Sequence, residues 1–145
     1  MEIVKEVLKK YKNIALVGAS KDLTKTSSIV MKYLQDYGFK VYPVNPSMKG
    51  ESILGEKVFG NIKEIDGPIE IVDVFRPSNE AAEIAKDAIK VKAKVLWLQL
   101  DIRNEEAKKI VETNNIIYIA NKCIKQEYQR LFLKVNPVFP ALKKQ

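Results

Sequence analysis

The chain has 145 residues, of which 46% are hydrophobic and 30% charged, and this predicts one globular domain over residues 1–145. It contains no histidine, which excludes histidine general bases, phosphohistidine transfer and most zinc sites. The net charge of +7 comes from lysines interleaved with glutamates, so it indicates solvated surface rather than a nucleic-acid interface, and no apolar run is long enough to span a membrane.

Strands and helices are predicted to alternate along the chain. Short apolar runs predict strands at 13–17, 40–44, 69–75, 94–100 and 116–120. Apolar residues at helical spacing predict five helices. The first, at 3–11, lies in a lead-in segment 1–12; the second spans about 27–37; the third begins near Ser78, the fourth near Asn104, and the last spans about 125–133. Five apolar strands separated by helices predict an α/β fold: a Rossmann-like, doubly wound, five-stranded parallel sheet with helices on both faces.

Several local features refine these elements. Gly38 is expected to close the second helix in a left-handed conformation, and Asn104 to cap the fourth. The turn-rich stretch 46–68 is expected to hold an extended piece at 57–59 and a helical turn at 62–65. The tail 134–145 contains two prolines and is expected to pack irregularly over the surface.

The cellular compartment is predicted from the cysteine content and the first residues. Cys123 has no partner for an internal disulfide, and residues 1–12 lack the apolar core of a signal peptide. Both observations predict a cytoplasmic protein. The abundance of lysine, glutamate and isoleucine is also typical of thermophile proteins.

A ligand site is expected where the parallel strands end, since ligands of open α/β sheets bind outside the carboxyl ends of the strands. Gly18 ends the first strand and is the only glycine of the dinucleotide fingerprint that is present. Ser27 or Thr26 is expected to cap the helix that follows, which leaves neighbouring N–H groups free for a phosphate. An ordinary serine cap without a ligand is the alternative.

The end of the second strand bears on the choice of nucleotide. NAD-binding proteins usually place a carboxylate there for the ribose 2′-hydroxyl, and this chain has Asn45, then Pro46 and the nearby Lys49. Because the carboxylate is missing and a basic side chain is available, this strand end disfavours NAD and suits a ribose that carries an extra phosphate. The alternative, that Lys49 is a solvated surface lysine without a role in binding, stays open.

The third and fourth strands end in further candidates. Arg76 can pair with a phosphate and Phe75 can line an adenine slot, or Arg76 makes an interhelical salt bridge beside a core phenylalanine. On the fourth strand, Trp97 is expected in the core and Gln99 is the candidate for ligand contact.

Three further features are set aside. The sequence from Gly50 to Lys57 approaches a phosphate-loop pattern, but its lysine comes one residue late and no buried strand precedes it. Asp73 lies in mid-strand without a histidine partner. Cys123 lies between Lys122 and Lys125 without a base, which favours an inert, partly buried thiol; a redox role stays open.

The chain resembles the small single-domain CoA-binding proteins, which are similar to the CoA-binding domain of the succinyl-CoA synthetase alpha subunit. The segments that carry the resemblance are IALVGAS, KTSSIVMKYL, VYPVNPSMKGESILGEKVFGNI, IEIVDVFRPS, AKVLWLQL and NKCIKQEYQRL, which cover most of residues 13–131. The chain departs from this family at Lys25–Ser27, where Arg-Pro-Ser is common, and at Tyr128, where the family has histidine. The synthetase's phosphorylated histidine has no counterpart.

The resemblance implies a Rossmann-like fold that binds coenzyme A or an acyl-CoA at the strand ends. The implied contacts are Gly18, Ser20, Lys25, Ser27, Asn45, Pro46, Phe75, Arg76 and Gln99. Together with the missing histidine, it favours a binding protein without catalysis of its own and with no metal ligands. An NADP-type or other nucleotide-dependent enzyme, or an interaction subunit with a vestigial pocket, are the alternatives. A homo-oligomer or a partner enzyme stays open.

Overall fold

The computed structural model describes residues 2–134, and its centre is a five-stranded parallel sheet. The strands of this sheet are β1 (Asn13–Val17), β2 (Lys40–Val44), β5 (Ile71–Val74), β6 (Val95–Leu98) and β7 (Ile117–Ile119). Two short strands, β3 (Ser52–Ile53) and β4 (Glu56–Lys57), lie between β2 and β5 in the chain. The sheet has the order β2-β1-β5-β6-β7, and all its pairings are parallel, while β3 and β4 form a separate antiparallel hairpin. The order reverses at β1 and β5, which confirms the predicted Rossmann-like sheet.

Helices cover both faces of the sheet. They are α1 (Ile3–Lys10), α2 (Thr26–Asp36), α3 (Ala81–Lys90), α4 (Glu105–Thr113) and α5 (Ile124–Tyr128), with single 3₁₀ turns at Pro46–Met48, Ile62–Glu64 and Ser78–Glu80 and a π-helical turn at Gln129–Leu133. Buried residues of α1, α2 and α5 pack on one face, and those of α3 and α4 on the other. Successive strand residues alternate between these two clusters, as Ile71 and Val72 do, because side chains of a strand point to opposite faces in turn.

Local signals in the sequence fixed several element ends. Gly38 follows α2 with φ of +90°, and the Asn104 side chain accepts a hydrogen bond of 2.8 Å from the Ala107 N–H at the start of α4. The later strands are shorter than predicted, since only their central residues pair. Among residues 2–134, none of the helices is both long and apolar enough to cross a membrane.

Two predicted elements take a different form. The extended piece at 57–59 divides: Lys57 pairs within the β3–β4 hairpin, while Phe59 bridges to Val44 at the end of β2. The last helix begins one residue early, at Ile124, and changes to π-helix from Gln129. The predicted irregular tail lies outside the described residues from 135 onward.

Candidate functional site

A cleft of about 870 Å³ opens at the carboxyl ends of β1, β2 and β5. Its walls come from the loop after β1, the first turn of α2, the end of β2, the segment around Asn61 and the start of α3. The structure brings together in this cleft eight of the nine predicted contacts, which are Gly18, Ser20, Lys25, Ser27, Asn45, Pro46, Phe75 and Arg76. They converge because parallel strands all end at the same edge of a sheet.

The floor of the cleft requires glycine at position 18. Gly18 has φ of +98°, a conformation that residues with a side chain rarely adopt. A Cβ there would lie 3.0 Å from the Phe75 carbonyl oxygen and 3.1 Å from Arg76 Cδ. The chain therefore turns sharply under the cleft while β5 continues directly beside it.

Asn45 joins the loop after β1 to the end of β2. Its side-chain amide donates a hydrogen bond of 2.9 Å to the Ala19 carbonyl, and its Oδ1 accepts one of 2.9 Å from the Ser47 N–H. The Val44 carbonyl also accepts bonds of 3.0 and 3.1 Å from the N–H groups of Gly18 and Ala19. A carboxylate could not donate to the Ala19 carbonyl, so this position needs an amide for a structural reason as well.

The N-terminus of α2 opens into the cleft without a side-chain cap. The expectation that Ser27 or Thr26 caps this helix is wrong: α2 begins at Thr26, with Lys25 at the N-cap position and no capping hydrogen bond. Both residues lie inside the first turn, too late in the chain to cap it. The neighbouring Ser28 hydroxyl donates instead to the Ser20 carbonyl at 2.6 Å. The first N–H groups of the helix and its dipole thus face the cleft, an arrangement that attracts anions.

Arg76 lies over this floor and is held by a carboxylate of the same loop. Its Nε and Nη2 donate to the two oxygens of Glu80 at 3.0 and 2.7 Å. These hydrogen bonds raise the pKa of Arg76 and lower the pKa of Glu80. The salt bridge foreseen for Arg76 is present, but it is local to the loop that leads into α3 and does not join two helices. Since both groups are about half exposed, the pair contributes little to stability and leaves Arg76 free to exchange partners.

The carboxyl end of β6 lies apart from the cleft. Gln99 is 4% exposed, and its Oε1 accepts a hydrogen bond of 3.3 Å from the Ile124 N–H at the start of α5. Trp97 is fully buried, as predicted, and its indole N–H donates to the Lys122 carbonyl at 2.8 Å. Cys123, the N-cap residue of the same helix, is 7% exposed. The structure therefore does not bring Gln99 to the other eight residues, because the start of α5 covers this end of β6.

Two further charged residues of the sequence lie outside the cleft. Lys49 does not line it, and its ammonium donates to Glu64 at 3.1 Å on the surface. Asp73 is fully buried in mid-strand, and neither carboxyl oxygen has a hydrogen-bond partner among residues 2–134. Burial without a compensating partner raises the pKa of Asp73 well above its usual value.

The α3 side of the cleft was not foreseen from the sequence. Glu80, Ile84 and Asp87 line it at i, i+4 and i+7, and Ile62 faces them from the 3₁₀ turn after Asn61. The helical spacing is visible in the sequence, but it does not tell which turn packs against α3.

The fold and this cleft define a Rossmann-like protein with an anion-accepting site at the strand ends. The chain belongs to the CoA-binding domain family, whose model, described as "CoA binding domain", matches residues 12–129.

Three relatives illustrate the range of this similarity. The chain is 40% identical over 122 residues to "Uncharacterized protein YneT" of Bacillus subtilis, covering 84% of this chain and 89% of that protein. It is similar to the structure of a "hypothetical protein from Pyrococcus horikoshii OT3", with a TM-score of 0.85, 41% identity and coverage of 88% and 89% of the two chains. It is 28% identical to an ADP-forming acetate–CoA ligase of Methanocaldococcus jannaschii over 78% of this chain, but spans only 17% of that ligase.

Proposed function

We propose that this protein binds coenzyme A or an acyl-CoA in the cleft at the strand ends and performs no chemistry of its own on it. The observation that carries the proposal is the uncapped N-terminus of α2, which opens beside Lys25 and Arg76 into a cleft of about 870 Å³. Membership of the CoA-binding domain family supports the choice of ligand.

The phosphates are assigned to the α2 side of the cleft. The free N–H groups of the first turn would donate to phosphate oxygens, and the Lys25 ammonium would add a mobile positive charge. Arg76 would leave Glu80 and pair with a phosphate, which can accept two parallel hydrogen bonds from its guanidinium. Gly18 lets the ligand approach the backbone of the loop closely.

The absence of catalysis is proposed from the side chains available. The sequence has no histidine, and Cys123 is buried at the N-cap position of α5. Acyl transfer from a thioester needs a nucleophile and a base within reach of the ligand. The proposal therefore treats the protein as a carrier or a sensor of CoA in the cytoplasm, alone or beside a partner enzyme.

Calorimetry with CoA, NAD, NADP and 3′-dephospho-CoA tests the ligand. We expect CoA to bind more tightly than either dinucleotide, and loss of its 3′-phosphate to weaken binding, because a charged hydrogen bond is removed. Tighter binding of NADP would favour the nucleotide-dependent enzyme instead. Failure of all four ligands would favour an interaction subunit with a vestigial pocket.

A second test uses the protein as it is purified. Native mass spectrometry of fresh material is expected to show an additional mass equal to CoA or an acyl-CoA. The mass difference would also identify the acyl group. A co-purified dinucleotide would contradict the proposal.

A further inference from the structure

The cleft has two sides of opposite chemistry. On the α2 side lie the uncapped helix N-terminus and Lys25, which attract phosphate. On the α3 side, four aliphatic side chains line the wall, from Val17, Val44, Ile62 and Ile84. We call these four residues the aliphatic slot. A phosphate would lose its hydration there without gaining a partner, so the slot suits an apolar, flat part of a ligand.

A carboxylate with free acceptor capacity stands beside the slot. Asp87 lies one helical turn after Ile84 and also lines the cleft. Its one ion pair among the described residues is with Lys63, at 3.5 Å through a single oxygen, and its carboxylate accepts no hydrogen bond within residues 2–134. Glu80, by contrast, has both oxygens occupied by Arg76. Asp87 is therefore the acid of the cleft that is open to a ligand before Arg76 moves, whereas Glu80 is released only when Arg76 leaves it for a phosphate.

We propose that the aliphatic slot holds the adenine base of the bound nucleotide and that Asp87 accepts a hydrogen bond from its exocyclic amino group. This inference rests on the proposed function, since it assigns one part of the CoA molecule to one side of the same cleft. Adenine fits both features: its faces are apolar enough to pack between Ile62 and Ile84, and its edge carries an N–H donor. Asp87 then acts as a specificity residue, because hypoxanthine or guanine would turn a carbonyl oxygen toward the carboxylate.

The same arrangement explains the separation of charge across the cleft. Phosphates are drawn to the α2 side and repelled from the side where Asp87 stands, so the nucleotide enters in one orientation. The slot lies next to Asn61 and the end of β2, and its residues pack with the cluster on the α3 face of the sheet, whereas Phe75 packs with the cluster on the opposite face. The proposal thus places the base against α3 and not on Phe75.

The test compares CoA with its hypoxanthine analogue, in which an oxygen replaces the amino group. Calorimetry on the wild-type protein is expected to show about tenfold tighter binding of CoA, the value of roughly one hydrogen bond to a charged group. Asp87→Ala is expected to lose about tenfold in CoA affinity and to bind the two ligands equally. Glu83→Ala is the matched control, since Glu83 is an exposed acid of the same helix that does not line the cleft.

A second variant tests the slot itself. Ile84→Ala is expected to weaken CoA and its analogue by the same factor, because it removes packing against the base and no hydrogen bond. A wild-type preference that persists in Asp87→Ala, or unchanged affinities in Ile84→Ala, would overturn the inference while leaving CoA binding intact. If the wild-type protein binds neither ligand, the proposed function itself fails and this inference with it.

Discussion

Gly18 and Arg76 lie side by side at the floor of the cleft, where a Cβ at position 18 would come within 3.1 Å of Arg76 Cδ. The stem of the arginine thus runs over the one glycine that ends β1, and its guanidinium reaches sideways to Glu80. The shape of the loop at Gly18 therefore affects the position of the Arg76 guanidinium, which we propose pairs with a phosphate of the ligand. A change at either residue is therefore expected to affect ligand binding.

Gly18→Ala is expected to lower both stability and CoA affinity. The positive φ costs about 1–3 kcal/mol for a residue with a side chain, and the added methyl also crowds the Phe75 carbonyl. Gly38→Ala is the matched control, because Gly38 has a similar φ of +90° and no atom within 4 Å of its Cβ position. Urea unfolding and calorimetry should show a stability loss in both variants and an affinity loss in Gly18→Ala alone. Normal CoA binding by Gly18→Ala would contradict the assigned contact.

Arg76→Ala is expected to weaken CoA binding by about 1.5–3 kcal/mol, the range for hydrogen bonds to charged groups. Without ligand, its melting temperature should change little, because exposed ion pairs contribute about 0–1 kcal/mol. Lys32→Ala, which removes the exposed i, i+4 pair with Asp36 away from the cleft, is the control. A large loss of ligand-free stability with unchanged affinity would mean that Arg76 serves only the salt bridge with Glu80.

Asn45→Asp is expected to destabilise the protein and weaken CoA binding. The aspartate keeps the acceptor for Ser47 but replaces the donor to the Ala19 carbonyl with a repelling oxygen, at a cost of about 1–3 kcal/mol. Asn114→Asp also loses an amide donor, but at an exposed helix end that does not line the cleft, so it should lose at most about 1 kcal/mol of stability and bind CoA as the wild type does. Equal thermal stability of Asn45→Asp and wild type would show that the link between the two loops is dispensable.

Asp73 is expected to make the protein less stable as pH rises. In the unfolded chain its carboxyl loses a proton near pH 4, but in the folded chain burial raises its pKa, so the proton stays bound to higher pH. The stability of the folded chain is therefore not reduced by Asp73 ionisation below about pH 4. Above that pH the unfolded chain loses the Asp73 proton more readily than the folded chain, and the free energy of unfolding declines as pH rises toward the folded pKa.

The isosteric Asp73→Asn variant, which does not titrate, isolates this effect. The difference in unfolding free energy between the variant and the wild type should increase from pH 4 to pH 7 in urea titrations. A constant difference at position 73 would show that its carboxyl ionises normally in the folded protein.

Cys123 is expected not to take an acyl group from acyl-CoA. Cys123 is 7% exposed at the N-cap position of α5, and Gln99 holds that helix start in place through the Ile124 N–H. Intact-mass analysis after incubation with a labelled acyl-CoA should show no covalent adduct. A stoichiometric adduct that is absent from Cys123→Ser would instead make the protein an enzyme.

The regular part of the fold could be predicted because its signals are local. Continuous apolar runs marked the strands that are buried on both faces, and Gly38 and Asn104 marked helix ends through their own backbone and side-chain chemistry. The irregular stretch between β2 and β5 was predicted less well. Its hairpin and the bridge from Phe59 to Val44 depend on which distant strand is adjacent, and no local pattern encodes that.

By itself, the sequence determined the parallel sheet, the helices on both faces and the set of strand ends where a ligand can bind. Eight of the nine candidate residues meet in one cleft for this reason, since parallel strands end at a common edge. Only the tertiary structure decided that α5 covers Gln99, that Lys25 stands at the N-cap of an uncapped α2, and that Asp87 lines the same cleft as the aliphatic slot. These relationships depend on how separate elements pack across the sheet, and packing is set by the whole chain rather than by neighbours in sequence.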